Sequence, residues 1–283
     1  MKKIVFLFLL MFSGILISAQ APFPTAEEGK LLMSSKTCVV LENSPFSGFN
    51  PAIREAVTAY WTITPFEFID INEFNARRQD PAYSFLVLTE NDYEKDKSGS
   101  TFAFINLLLG KKVRNLEELP EFCAIPLDFA GEDAEEEYGY KMGLIIRFIQ
   151  EHSALVVNSP KTPGIRYLKY YNQYVPEIAG KTILAREEDM EESISGEEAI
   201  SAIYSSGFRL VSEEEIIKAV AEKRPNTLIL HKVGPPDELT GAYVFKMLIG
   251  TDNARMYYFN THKIDQRNPN GFLPADLRRI ARF

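Results

Sequence analysis

The fold is decided by a segment that occurs twice, KTCVVLE at residues 36–42 and KTILARE at residues 181–187. Four further pairs follow in the same order and at nearly the same spacing: AVTAYW at 56–61 with AISAIY at 199–204, FEFID at 66–70 with FRLVS at 208–212, Pro81 with Pro225, and FAF at 102–104 with YVF at 243–245. Chance similarity produces one such pair, but not five in register. The sequence therefore predicts an internal tandem duplication.

Each copy is predicted to fold as a βαβαβββα unit. In the first copy, the sequence predicts strands at 37–41, 66–70, 83–89, 102–109 and 121–127, with helices at 50–61, 71–79 and 134–151. In the second copy, it predicts strands at 182–186, 207–211, 227–233, 242–250 and 255–263, with helices at 195–205, 213–223 and 273–282. The strand segments are rich in the β-branched and aromatic residues that half-buried sheet positions favour.

These elements predict an α/β (α+β) fold with two tandem domains, each a mixed sheet covered by helices. The first domain is predicted to span residues 33–152 and the second 181–283, with a linker at 153–180. Each domain has an ordinary size for a unit with its own hydrophobic core.

Four helix starts carry recognisable capping patterns. Three have the spacing of a capping box, in which a side-chain acceptor and a Glu three residues later satisfy the first free amides. They are Asp70 with Glu73, Ser212 with Glu215, and Ser195 with Glu198. The fourth has Asn50 before Pro51, which predicts an asparagine cap and a proline at the first helical position.

The first twenty residues, MKKIVFLFLLMFSGILISAQ (1–20), have the layout of a secretory signal peptide. A short basic start is followed by an apolar run and then by small residues, and cleavage is expected after Ala19 or Gln20. No cysteine near this site could carry a lipid anchor, and no later segment is long and apolar enough to span a bilayer. The sequence therefore predicts a periplasmic or secreted protein without a transmembrane anchor.

Composition and charge restrict the class of protein. Hydrophobic residues make up 46% of the chain and charged residues 25%, a profile that excludes collagen-like, coiled-coil, disulfide-rich and disordered proteins. Acidic residues outnumber basic residues by 39 to 31, which gives a net charge of -8. Such a surface repels phosphate backbones, so no nucleic-acid partner is expected.

The chain has two cysteines, Cys38 and Cys123. An oxidising compartment permits a disulfide between them. The alternative is two buried thiols, since a free cysteine packs like a small hydrophobe. We favour the alternative, because nothing in the sequence brings the two residues close together.

Motifs for catalysis and cofactor binding do not occur in the sequence. The three histidines, His152, His231 and His262, are scattered and have no metal-ligand spacing. We assign each a structural role, with His152 at a helix end, where a positive charge favours the dipole. Nucleophile-elbow, zinc-protease and dinucleotide motifs are missing. Neither a metal nor a cofactor is expected.

Acidic residues form two clusters in the sequence. One comprises Asp128, Glu132, Asp133, Glu135, Glu136 and Glu137, and the other comprises Glu187, Glu188, Asp189, Glu191 and Glu192. Neither has the ligand spacing of a calcium-binding loop, so we interpret them as a solvated loop and an acid-rich helix start. Paired catalytic carboxylates are the alternative, because their separation depends on the fold.

Four linker tyrosines, Tyr167, Tyr170, Tyr171 and Tyr174, recur at the spacing of one α-helical face, in a helix predicted at about 165–174. If exposed, this stripe would bind sugar rings or a protein partner. We favour the alternative that the helix packs between the halves and buries the stripe, because a short segment needs a face to bury.

The order of a strand at 37–41, a helix at 50–61 and a strand at 66–70, repeated in the second half, resembles the small periplasmic α/β domains of the TolB N-terminal and CsgG type. The resemblance covers the topology of both halves and carries no diagnostic motif. It implies a role in envelope assembly or binding rather than catalysis.

Two functions are therefore considered. The favoured one is a non-enzymatic binding protein of the cell envelope, which takes an envelope protein or a glycan in a groove between the domains, lined partly by the linker tyrosines. The alternative is a carboxylate-dependent hydrolase of envelope or external polymers. It would use acids such as Glu132 or Asp128, together with His231 or His262.

Overall fold

The computed structural model describes residues 22–44, 47–92, 96, 98–130 and 138–283. The predicted signal peptide at 1–20 lies outside the described residues. The same holds for five acids of the first cluster, Glu132, Asp133, Glu135, Glu136 and Glu137. Within the described ranges, no helix has the length and apolar character needed to cross a bilayer.

Two series of helices and strands follow one another along the chain. The first comprises α1 (Ala26–Ser34), β1 (Lys36–Val40), α2 (Phe49–Tyr60), β2 (Phe66–Ile69), α3 (Ile71–Arg77), β3 (Tyr83–Asp92), β4 (Thr101–Leu109), β5 (Glu121–Ala130) and α4 (Met142–Asn158). The second comprises β6 (Thr182–Ala185), α5 (Glu197–Ser201), β7 (Phe208–Leu210), α6 (Glu213–Ala221), β8 (Thr227–Val233), β9 (Tyr243–Gly250), β10 (Met256–Lys263) and α7 (Pro274–Ile280).

Each series builds a five-stranded mixed sheet, in the order β2-β1-β3-β4-β5 in the first half and β7-β6-β8-β9-β10 in the second. In both sheets the first three strands of this order run parallel to one another, and the remaining pairings are antiparallel. The predicted α/β class is thus confirmed. The shared topology fits the predicted tandem repeat.

The hydrogen-bond register corrects the sequence match in its first block. In the first sheet, Thr37 pairs with Phe66 and Ser84 on the adjacent strands. In the second sheet, Ile183 pairs with Phe208 and Leu228. Thr37 therefore corresponds to Ile183, one residue later than the match of the two KT segments implies. A shift of one residue exchanges the faces of a strand. Val39 accordingly corresponds to Ala185 in the second sheet.

The two halves share a hydrophobic core. Helices α2 and α4 cover one face of the first sheet and α3 the other, whereas α5 and α7 cover one face of the second sheet and α6 the other. The α2 and α4 face of the first half packs against the α6 face of the second. Phe102 of β4 and Phe245 of β9 meet there edge to face, with 5.2 Å between ring centroids. The halves thus join head to tail, through different faces of the repeated unit.

Side-chain caps begin α1 and α3. Asp70 accepts hydrogen bonds from the amides of Asn72 and Glu73, and Glu73 in turn accepts one from the amide of Asp70, so this capping box is confirmed. Ser212 stands at the cap position of α6 as predicted, but its side chain makes no capping hydrogen bond, so the predicted capping box with Glu215 does not form. Helix α1 was not predicted from the sequence. It begins with a capping box formed by Thr25 and Glu28.

The other two predicted caps are wrong. The short helix α5 follows Gly196 rather than Ser195, and α2 follows Gly48. The Asn50 side chain instead accepts a hydrogen bond from the Glu42 amide and donates one to the Glu42 carbonyl oxygen, each at 2.9 Å. It therefore fixes the chain just after β1 rather than capping α2.

The end of the first half also differs from the prediction. Helix α4 begins at Met142 rather than at residue 134, and the linker forms 3₁₀ helices at Pro163–Arg166 and Leu168–Ile178 instead of an α-helix. The Asn172 side chain accepts from the Phe259 amide at 2.8 Å and donates to the Phe259 carbonyl oxygen at 2.9 Å, which holds the linker against the edge of β10.

Candidate functional site

The candidate site lies where the second sheet reverses the direction of its connections. From β6 the chain passes through α5 to β7 on one side, and from β7 it passes through α6 to β8 on the other side of β6. Because α5 and α6 lie on opposite faces of the sheet, a crevice opens beyond the carboxyl ends of β6 and β8. Ligands of open α/β sheets bind at such switch points.

A cavity of about 260 Å³ occupies this crevice. The second half contributes Arg186, Asp189 and residues 231–236, and the first half contributes residues 127–129 and Lys141. The volume is just below the range of pockets for drug-sized ligands, roughly 300–1,000 Å³. The cavity therefore has room for one small molecule or for the end of a larger one.

A buried group of opposite charges forms one wall of the cavity. The Lys141 ammonium lies 3.6 Å from the Asp189 carboxylate, and both side chains are 3% exposed. The Arg186 guanidinium lies 3.4 Å from the same carboxylate. Burial alone would raise the pKa of Asp189, but the positive charges of Lys141, Arg186 and Lys232 outweigh burial and lower that pKa. Asp189 is therefore ionised, and it holds the ends of the two halves together.

His231 lines the same cavity and is 3% exposed. Its Nε2 lies 3.0 Å from the Pro126 carbonyl oxygen. Since a carbonyl oxygen only accepts hydrogen bonds, Nε2 carries the proton and Nδ1 presents a lone pair. Burial lowers the pKa of His231 to about 3, and the charge of Lys141 acts in the same direction.

The second ring nitrogen of His231, Nδ1, lies inside the protein. This nitrogen is buried, and among the described residues it has no hydrogen-bond partner. A buried acceptor without a partner costs about 1–3 kcal/mol. Among the described residues, Nδ1 of His262 is buried without a partner in the same way, although His262 does not line the cavity.

Lys232 supplies a further positive charge at the cavity. It lines the cavity wall and is close enough to Asp189 to lower the pKa of that carboxyl. Within the described part of the chain, its ammonium takes part in no ion pair or hydrogen bond. Glu188, by contrast, is 62% exposed and already bound to Arg186 at 2.8 Å.

The four linker tyrosines do not line this cavity. Tyr171 is buried, with its hydroxyl 2.9 Å from His152 Nδ1. Tyr170 and Tyr174 are half-buried and contact each other and Tyr171 through their rings, whereas Tyr167 is 52% exposed. In a 3₁₀ helix residues four apart no longer share a face, so the predicted continuous stripe does not form.

The two cysteines are free thiols, and the disulfide left open by the sequence is not formed. Cys38 lies on β1 and Cys123 on β5, with β3 and β4 between them. At about 4.8 Å between neighbouring strands, the two Cα atoms are roughly 14 Å apart, well beyond the reach of a disulfide. Burial raises the pKa of Cys38 to about 11 and that of Cys123 well above its ordinary value.

The other two histidines hydrogen-bond to neutral oxygens. His152 lies within α4 and faces the Tyr171 hydroxyl, while His262 Nε2 lies 2.8 Å from the Pro269 carbonyl oxygen. Burial lowers the pKa of each to about 4. His152 is therefore uncharged at neutral pH, and the predicted interaction of its charge with a helix dipole is wrong.

The acidic residues that the sequence analysis singled out lie in different environments. Asp128 lines the cavity, whereas Glu132 lies outside the described residues. Asp189, expected on a solvated loop, is instead 2% exposed. Over the described ranges, no three His, Cys, Asp or Glu side chains are arranged to hold a metal ion.

Three residues of the site were not singled out from the sequence: Lys141, Arg186 and Lys232. Arg186 is the last residue of the predicted strand at 182–186, and the carboxyl end of a strand is a position where switch-point residues are found. The turn Gly234-Pro235-Pro236 directly follows another. These two sequence features could have predicted one side of the cavity. The contribution of Lys141 depends on how the halves pack, which has no local sequence signal.

Comparison with known proteins gives no match, since no family model, no curated protein and no solved structure is detectably similar to this chain.

Proposed function

We propose that this chain is an exported, non-enzymatic binding protein of the cell envelope, and that its ligand occupies the cavity between the halves. The observation that carries the proposal is the cavity at the sheet's switch point, which the buried charges of Lys141, Arg186 and Asp189 line. A concave cavity lined by buried charges is a feature of a ligand site rather than of a simple domain contact.

The chemistry of the site favours binding over catalysis. A general base works best with a pKa near the operating pH, and the pKa of His231 is lowered to about 3. Asp189 is held by Lys141 and Arg186, which leaves it a poor proton acceptor. These groups fix a ligand by charge and hydrogen bonds without exchanging protons with it.

The cavity replaces the linker tyrosines as the binding surface. The hydroxyl and ring of Tyr171 are engaged by the protein itself, and of the four only Tyr167 is largely exposed. A glycan end or a small envelope metabolite fits the cavity volume. A folded protein would contact only its rim.

The test is a thermal-shift measurement with small-molecule and glycan fractions of the producing cell's envelope. Pro236 is exposed at the cavity wall, so Pro236→Trp fills the entrance without disturbing a strand. We expect a fraction that raises the Tm of the wild type and of Tyr167→Ala, but not that of Pro236→Trp. The matched control, Tyr167→Ala, removes the exposed tyrosine instead.

The opposite pattern, a shift kept by Pro236→Trp and lost by Tyr167→Ala, would return the site to the linker. Shortened glycan products in the incubated fractions would favour the hydrolase alternative, with Asp128 as its candidate acid. Export is tested separately by N-terminal sequencing of the protein from the periplasm or medium. A mature chain starting at Gln20 or Ala21 supports it, and an intact Met1 in the cytoplasm contradicts it.

A further inference from the structure

We infer that the protein has a second ligand site, a groove between α2 and α6 that takes a small ammonium ion with an apolar body. The groove and the cavity at the switch point have no described lining residue in common. The inference therefore goes beyond the proposed function and does not depend on it.

The groove lies where the two halves meet. Helix α2 of the first half forms one side and α6 of the second half the other, and residues between 139 and 143, which lead into α4, complete the lining. Its volume is about 220 Å³, less than the roughly 300–1,000 Å³ of pockets for drug-sized molecules. The groove is therefore suited to a small ligand.

Small side chains keep the groove open. Five lining residues carry a methyl group or no side chain: Ala52, Ala56, Gly139, Gly143 and Ala221. A side chain at Gly143 would place its Cβ 2.7 Å from Cε2 of Tyr60, which is closer than two non-bonded carbon atoms approach. Glycine at position 143 thus allows the Tyr60 ring to form one wall of the groove.

The lining of the groove is largely apolar. Met142 and Val220 are buried there, whereas Ile217 is 44% exposed. A single exposed isoleucine is ordinary on a protein surface, but this one borders a concave apolar surface, where a ligand can cover it. Covering apolar surface contributes about 25 cal/mol per Å² removed from water. The body of the ligand is therefore expected to be apolar.

The charge of the groove selects the head group of the ligand. Glu55 is the charged residue among the described lining residues, and it is exposed on α2. Over the described ranges, its carboxylate takes part in no hydrogen bond or ion pair. A cationic head group is attracted to this carboxylate, and an anionic head group is repelled.

A lysine near the groove determines where along it the ammonium ion lies. The Lys223 ammonium is 5.7 Å from the centroid of the Tyr60 ring, although Lys223 is not among the described lining residues. Tyr60 follows Glu55 on α2 by five residues, which is about 7.5 Å at the rise of an α-helix. Because Lys223 repels a second cation at Tyr60, the ammonium ion belongs at Glu55, with its apolar body against Ile217.

The experiment is calorimetric titration of the protein at pH 7 with hexylamine, hexanoate and methylamine. Both amines are ammonium ions at this pH, as the lysine side chain is. We expect hexylamine to bind at least about tenfold more tightly than either of the other two. Hexanoate has the same apolar body with the opposite charge, and methylamine has the charge without the body.

Substitutions on the two helices test the two parts of the groove. Glu55→Gln should weaken hexylamine binding about tenfold, whereas Glu198→Gln, which changes an exposed glutamate of α5 outside the described lining, should leave it unchanged. Ala221→Phe fills the groove from an exposed position at the end of α6 and should abolish binding. Circular dichroism establishes that each variant is folded.

Pro236→Trp locates the ligand, because it fills the entrance of the other cavity. Hexylamine should bind this variant as tightly as it binds the wild type. If Pro236→Trp loses the binding and Ala221→Phe keeps it, the amine occupies the cavity at the switch point and the inference is wrong. Equal affinities for hexylamine and hexanoate, or an unchanged hexylamine affinity in Glu55→Gln, would overturn it as well. The thermal-shift assay with envelope fractions tests the proposed function separately.

Discussion

His231 Nε2 donates a hydrogen bond of 3.0 Å to the carbonyl oxygen of Pro126 and thereby joins β8 of the second half to β5 of the first. The contact fixes the tautomer of a buried imidazole whose residue lines the cavity. Position 231 thus links the packing of the halves to the chemistry of the site. The corresponding residue of the first sheet is Val87, which packs in an apolar cluster beside α3.

Stability should fall in mild acid because of His231. Its pKa is about 3 in the folded protein and about 6.5 when unfolded, so between these values the unfolded chain binds the additional proton. The stabilisation is complete above pH 6.5 and is lost as the pH falls, by about 2 kcal/mol between pH 7 and pH 5. Urea unfolding at both pH values measures it.

The control for this prediction is His231→Gln, whose amide keeps a donor for Pro126 but does not titrate. Between pH 7 and pH 5, its unfolding free energy should fall by about 2 kcal/mol less than that of the wild type. Identical pH dependence in wild type and variant would mean that His231 is accessible to protons in the folded state.

A second buried ion pair should matter for stability rather than for binding. Lys246 of β9 is fully buried against Asp276 of α7, which also accepts hydrogen bonds from the Tyr258 hydroxyl and the Asn260 side chain. Burial would raise the pKa of Asp276, but Lys246 and these donors lower it. Lys246→Met leaves this carboxylate without its cation and should cost about 3–5 kcal/mol in unfolding free energy.

The exposed pair of Lys218 and Glu222, at 3.9 Å on α6, provides the comparison. Lys218→Met should change the unfolding free energy by less than about 1 kcal/mol. Similar losses for both substitutions would show that the Lys246 ammonium reaches water.

Substitutions of the linker tyrosines should differ sharply in their effect on the unfolding free energy. Tyr171→Phe removes the hydroxyl that pairs with buried His152 and should cost about 1–3 kcal/mol, because an imidazole nitrogen is left unpaired. Tyr167→Phe, on a side chain that is 52% exposed, should stay within about 0.5 kcal/mol of the wild type. Chemical denaturation of the two variants compares them, and equal effects would contradict the described packing.

Both cysteines should be present as unreactive thiols. Burial raises the pKa of Cys38 to about 11, so little of the reactive thiolate exists at neutral pH. Iodoacetamide should leave the native protein unmodified at pH 7.5 and should alkylate Cys38 and Cys123 in denaturant without reductant. If alkylation in denaturant requires a reductant, the two residues form a disulfide.

Much of the fold could be predicted from residue patterns. The apolar run at 227–233 forms β8 within those same limits, and the similarity of the two halves corresponds to two sheets of one topology. The sequence match aligned β1 with β6 one residue away from their structural equivalence. Both strands are apolar on both faces and lack the alternation that would fix this alignment.

The site could not be predicted to the same degree. Its position depends on the head-to-tail packing of the halves, which brings Lys141 to Asp189 across about fifty residues of chain, a separation with no periodic signal. Asp189 also lies in an acid-rich run that is typical of a solvated loop. The spacing of the linker tyrosines favoured an α-helix. The structure has a 3₁₀ helix there, which contains Pro176 and is hydrogen-bonded through Asn172 to Phe259.

The proposed function requires that the ligand occupies the cavity at the switch point of the second sheet. Hydrogen–deuterium exchange of the protein, with and without a stabilising envelope fraction, tests this location of the ligand. We expect new protection at residues 127–129, 186–189 and 231–236, the segments around the cavity. Protection confined to residues 167–174 of the linker, with the cavity segments unchanged, would contradict it.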